Sequence, residues 1–110
     1  MDLLKEVRHV SRQLQDQAFA ASRCRGAPSY LDTLRAMLGE RLRHDDARVS
    51  VVGYASAAEL GVAVEPLAMA CHDAIGPDMD YPLRVLFWAA HRRMQGLRPW
   101  SAHTDRAQAR

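Results

Sequence analysis

Residues 48–70 read RVSVVGYASAAELGVAVEPLAMA, and the fold class turns on whether the first seven of them form a strand or a connection. Arg48 to Tyr54 are rich in β-branched valine and alternate in part, as a short strand would. A lone strand leaves its ladder groups unpaired, so it would need a partner such as the same segment of a second subunit. An extended linker is the preferred reading. Ser56-Ala57-Ala58-Glu59 has the form of a capping box, which starts a helix at Ala57. Gly61 and then Pro66 interrupt that helix, because proline is tolerated in a first helical turn but not in an interior. The stretch therefore reads as a short helical turn, a kink, and a new helix from Glu65 to Ile75, where Gly76-Pro77 stops it.

On the N-terminal side, Leu3, Val7, Val10, Leu14, Ala18 and Ala21 recur in steps of three and four across residues 2–23. That spacing places them on one helical stripe, with Lys5, Glu6, Arg8, Arg12 and Asp16 outside it. Gly26-Ala27-Pro28 ends the segment, and Ser29 caps a second helix whose stripe is Leu31, Leu34, Leu38 and Leu42. The two segments read as a helical hairpin. On the C-terminal side a last helix opens near Asp80-Tyr81-Pro82 and runs to Gln95, before Gly96. Residues 1–97 thus form one helical domain, and 98–110 a polar tail expected to be mobile. The fold class is all-α, a compact bundle of four to five helices with room for one short strand at 48–54.

Composition narrows the function classes. Apolar residues make up 48% of the 110 and charged residues 25%, within the ordinary soluble range. No apolar run is long enough to cross a membrane, and charges among the first leucines argue against a secretory signal. Cys24 and Cys71 lie far apart without a CxxC spacing, which favours a reduced, cytoplasmic protein. Lys5 is the one lysine against 14 arginines, a bias that suits a GC-rich bacterial source. Charge is uneven along the chain. Residues 51–80 carry five carboxylates and no Lys or Arg, whereas residues 81–110 carry six Arg against Asp105.

Over roughly twenty residues the segment 55–75 resembles the helix-turn-helix motif of DNA-binding regulators. Ala57 takes the small buried position, Gly61 and Val62 the turn, and Leu67 the buried position of the second helix. Ser56, Gly53 and Pro66 depart from the pattern. The chemistry departs further, since the second helix offers Glu65, His72 and Asp73 where a reader needs Arg, Lys, Asn or Gln. An acidic segment against phosphates also opposes the counterion-release term that drives such binding. A DNA-binding transcriptional regulator using residues 55–75 is the alternative function, and nucleic acid is a disfavoured partner.

Catalytic signatures do not emerge. His44-Asp45-Asp46 and Cys71-His72-Asp73 lack the paired ligand spacing of a zinc site, so neither a metal nor another cofactor is expected. A Cys–His nucleophile would need spatial neighbours such as Cys71 and His91, which sequence does not place. The remaining signal is LRVLFWAAHRRM, residues 83–94. Leu83, Leu86, Phe87, Ala90 and Met94 make one stripe while Val85 and Trp88 lie off it, so the helix is apolar nearly all round. Such a helix is either central in a core or shared with a partner. In a domain of this size with two other amphipathic helices, full enclosure is hard to arrange. The interface reading names Val85, Leu86, Phe87, Trp88, Arg92 and Met94. It makes the chain a non-enzymatic regulator (inhibitor, anti-activator or adaptor) that binds another protein, as a homodimer.

Overall fold

The computed structural model describes residues 2–97, so the expected tail at 98–110 lies outside the described residues. Among the described residues five α-helices succeed one another: α1 (Leu3–Ser22), α2 (Tyr30–Leu42), α3 (Ala47–Leu60), α4 (Glu65–Ile75) and α5 (Tyr81–Gln95). A single 3-10 turn, Gly76–Asp78, joins α4 to α5. The all-α bundle is as expected, and there is no strand among the described residues.

The entries of the helices are written in short polar side chains. Asp2, Ser29, Asp46 and Asp80 each accept a backbone N–H from the first turn of the adjoining helix, satisfying donors a helix start leaves open. α4 starts without a side-chain cap but with Pro66 in its first turn, where the missing N–H costs nothing. α1 and α2 bury the stripes that their spacing indicates: Val7, Val10, Leu14 and Ala18 on one, Leu34, Leu38 and Leu42 on the other.

The reading of residues 48–54 as linker or strand is corrected. They lie inside α3, which begins ten residues before Ala57, capped by Asp46 through N–H···O bonds of 2.8 Å from Arg48 and 3.3 Å from Val49. Ser56 and Glu59 do not form a capping box. The Ser56 hydroxyl donates to the Val52 carbonyl at 2.8 Å, and Glu59 accepts from the Ser11 hydroxyl of α1 at 3.0 Å. The physical reason is burial. Every residue from Ser50 to Ala58 is buried, so no polar face exists to print a helical period on the sequence. Tertiary packing outweighs the modest helix penalty of Val49, Val51 and Val52.

α3 is the central helix, with α1, α2 and α5 packed around it. It can be enclosed because it is slender: Ala47, Ser50, Gly53, Ala55, Ser56, Ala57 and Ala58 account for most of its buried positions. At Gly53 a methyl group would stand 2.9 Å from Arg41 Cβ, so the backbone of α3 lies directly against α2. Polar contacts also join α1 to α3: Ser11 to Glu59, Glu6 to Arg48 at 2.6 Å, and the Ser56 hydroxyl to the Val7 carbonyl at 3.4 Å.

Gly61 ends α3 in the left-handed conformation, φ 75°. The Val62 N–H reaches the Ala57 carbonyl at 2.9 Å and the Gly61 N–H reaches Ala58 at 3.2 Å, the paired bonds of a Schellman cap. The glycine that marks a helix-turn-helix turn in sequence is thus a helix stop.

Candidate interaction surface

α5 sits on α3 through Leu83, Phe87, Ala90 and Met94, which are buried. Of the residues named for an interface, Phe87 (2% exposed) and Met94 (1%) therefore belong to the core, and Leu86 is half-buried. Val85 (52% exposed), Trp88 (48%) and Arg92 lie on the outer face, and so does Tyr81 (78%), which the apolar pattern passed over. Sequence could have found Tyr81: it stands four residues before Val85, one turn away on the same face.

Tyr81, Arg84, Val85, Trp88, Ala89 and Arg92 line a shallow depression on that face. Beside it runs a groove of about 240 Å³ between α1, α3 and α5, lined by residues that include Leu4, Ala55, Leu86, Ala89 and Arg93. Ala89 borders both, so apolar surface continues from Tyr81 and Trp88 across to Leu86 and the exposed Leu4 of α1. Arginines frame it: Arg84 and Arg92 around the depression, Arg8 and Arg93 at the groove. Arginine beside aromatic and aliphatic groups is the composition that buried protein contacts favour. Phe19, also exposed, lies elsewhere on α1 under the Arg23 guanidinium, 4.6 Å from its ring centre.

Beneath the face the rings form a cluster. Phe87 meets Trp88 edge-on at 5.3 Å and lies tilted against Tyr54 at 5.0 Å, while Trp88 also stands edge-on to His72 and His91, each at 5.4 Å. Pairs in these orientations contribute beyond their burial, so Trp88 is seated on Phe87, His72 and His91 with its outer edge exposed. His72 stacks on Phe87 at 4.5 Å, and its buried Nδ1 lies 3.6 Å from Asp73, beyond hydrogen-bond length. The fully buried Tyr54 hydroxyl lies 3.1 Å from His91 Nδ1 and can donate to it when the ring carries its proton on Nε2. Burial, reinforced by the Glu65 carboxylate, pushes the Tyr54 phenol up to about 12.

The other residues raised from sequence have structural surroundings. His44 Nδ1 accepts the Asp46 N–H at 3.1 Å and so forms part of the entry into α3. The Cys71 thiol donates to the Leu42 carbonyl at the end of α2. Among the described residues no three His, Cys, Asp or Glu side chains gather as a metal site would need. No helix among them is long and apolar enough to cross a membrane. On α4, the exposed positions are Pro66, Ala70, Asp73 and Ala74, a face without a cation or an amide side chain. No protein-family model matches the chain, and comparison with curated proteins and with solved structures finds no match.

Proposed function

We propose that this chain is a small non-catalytic regulatory protein, an inhibitor, anti-activator or adaptor, that works by apolar helical contact with another polypeptide. The observation that carries this reading is the outer face of α5, where Tyr81, Val85 and Trp88 stand exposed in one row framed by Arg84 and Arg92. Isolated exposed apolar residues are ordinary, but a continuous row of large ones set on an aromatic base is a feature of interaction sites. The setting is cytoplasmic, and the working form is a homodimer.

The test compares capture of binding proteins from the native cell by the wild type and by Trp88→Ala and Val85→Asp, with circular dichroism to show that each variant is folded. Both substitutions fall on exposed positions and leave the core intact. Loss of capture by folded variants supports the reading. Undiminished capture by both overturns the assignment to this face.

A further inference from the structure

The α5 face carries cations that nothing in the chain answers. Arg84, Arg92 and Arg93 are exposed, and α5 holds no Asp or Glu between Tyr81 and Gln95. Arg8, also exposed, lines the adjoining groove from α1. Among the described residues none of these four arginines is held in an ion pair. Carboxylates on the neighbouring elements have other partners. Asp80 accepts the Leu83 N–H, Glu59 accepts the Ser11 hydroxyl, and Asp73 and Glu65 stand 3.6 and 3.9 Å from His72 and His91.

The arginines bracket apolar surface and do not form a patch of their own. Arg84 and Arg93 are nine residues apart, about two and a half helical turns, so they point to opposite sides of α5. Val85, Trp88 and Ala89 lie on the outer arc between them, and Tyr81 and Arg92 share that arc. Leu86 and Leu4 carry the apolar surface into the groove, where Arg8 stands on the α1 wall. We propose that this surface docks an acidic amphipathic helix of a partner protein, one whose apolar stripe has carboxylates on both flanks. The proposal rests on the role in protein contact assigned above to the α5 face.

Charge selects this occupant. A neutral or basic helix that covered Tyr81 and Trp88 would take the arginines beside them out of water with no counter-charge, which opposes binding. Carboxylates on both flanks convert the same burial into charge-assisted hydrogen bonds. A second copy set face to face brings the same arginines and no carboxylate. A DNA duplex would answer the guanidiniums but leave Tyr81, Val85 and Trp88 without apolar cover. A lipid surface is flat where the groove between α1 and α5 is concave. An amphipathic helix laid along the groove meets both demands, because its apolar residues recur on one face and its charges border them.

The experiment selects binders to the full chain from a displayed library of random peptides of about 16 residues, some four helical turns, in about 150 mM salt. A parallel selection uses the double variant Arg84→Glu/Arg92→Glu, and the recovered peptides are then measured against Trp88→Ala. All three positions are exposed, and circular dichroism shows that each variant is folded. In the wild-type pool Asp and Glu are expected to outnumber Lys and Arg by about threefold or more, around an apolar stripe. The charge-reversed chain is expected to invert that ratio and to bind a wild-type peptide at least about tenfold more weakly. Trp88→Ala is expected to weaken the same peptide by about tenfold or more. Peptides that need Trp88 but show no acidic excess, or an excess that survives charge reversal, overturn the acidic partner and leave the α5 face a docking site. A pool indifferent to Trp88, or no enrichment at all, overturns the proposal together with the reading of the face on which it rests. A short DNA duplex and vesicles of phosphatidylcholine with phosphatidylglycerol are the competing probes, and tighter Trp88-dependent binding to either overturns the helical partner.

Discussion

α3 and α5 both carry runs of apolar residues that leave no clear polar side in sequence, and they meet opposite fates. From Ser50 to Ala58 α3 is buried on every side, whereas α5 buries one face and turns a row of large side chains outward. The difference lies in side-chain size more than in hydrophobicity. A helix can be surrounded by three others in a small protein only if its neighbours can approach closely, and Gly53, Ser56, Ala57 and Ala58 permit that. Phe87 and Trp88, adjacent in sequence, point about 100° apart around α5, so both cannot face the core. One fills it and the other remains outside.

The largest expected effect divides those two neighbours. Phe87→Ala removes a buried ring that touches Tyr54, Trp88, His72 and His91, and should lower unfolding free energy by about 3–5 kcal/mol. Trp88→Ala, half exposed, should cost much less in chemical denaturation yet abolish association. Equal losses of stability from the two would mean that α5 has no outer face. Next comes the slenderness of α3. Gly53→Ala places a methyl 2.9 Å from Arg41 Cβ, an atom fixed to the α2 backbone that cannot swing aside. The gain in helix propensity, about 1 kcal/mol, offsets part of an overpacking cost of about 1–3 kcal/mol, so denaturation should show a net loss. A stabilised Gly53→Ala variant would show that α2 can withdraw and that close approach does not hold α3.

A smaller effect tests the polar contact between the two helices. Tyr54→Phe removes the hydroxyl of α3 that meets His91 of α5, and should cost about 0.5–1.5 kcal/mol near neutral pH. Its pH dependence is more telling. The phenol is raised from 10.0 to about 12 in the fold, so between those values the folded chain holds a proton that the unfolded chain has lost. Stability is therefore complete below pH 10 and falls as the pH rises toward 12. Alkaline unfolding curves should show that fall in the wild type, and Tyr54→Phe should lack this component. Identical curves would place Tyr54 in contact with water.

The contrast between the two helices also explains which parts of the fold were legible in sequence. α1, α2 and α5 each have a solvated side, so their apolar period and the caps Ser29 and Asp80 could be read directly, while α4 was read from Pro66 at its start and Gly76-Pro77 at its end. α3 has almost no solvated side, and its valines imitated a strand. The cue that was available was Asp46 ahead of the stretch, a cap that local alternation obscured. Within the candidate site, Val85, Trp88 and Arg92 were legible because they lie off the apolar stripe of α5. Phe87 and Met94 were not separable from them, since a helix apolar on two sides gives no sign of which side faces inward. Leu4 and the groove it borders depend on how α1 crosses α5, which one sequence does not encode locally.

The smallest effect concerns whether α3 needs anything beyond its enclosure. Arg48, exposed at the start of α3, donates through Nε at 2.9 Å and Nη2 at 2.6 Å to the same Oε2 of Glu6 on α1. The contact with Glu6 raises the Arg48 guanidinium pKa, opposed in part by desolvation. Two donors sharing one oxygen lack the geometry of a parallel bidentate pair, and solvent screens both partners. A double-mutant cycle with Glu6→Gln and Arg48→Met should therefore find a coupling smaller than the cost of Tyr54→Phe, and the coupling should fade in 1 M salt as the screening length shrinks to about 3 Å. A large coupling that survives salt would mean that an ion pair anchors the central helix. A vanishing one leaves close packing by small side chains as what holds α3 in place, which is the property that sets it apart from α5.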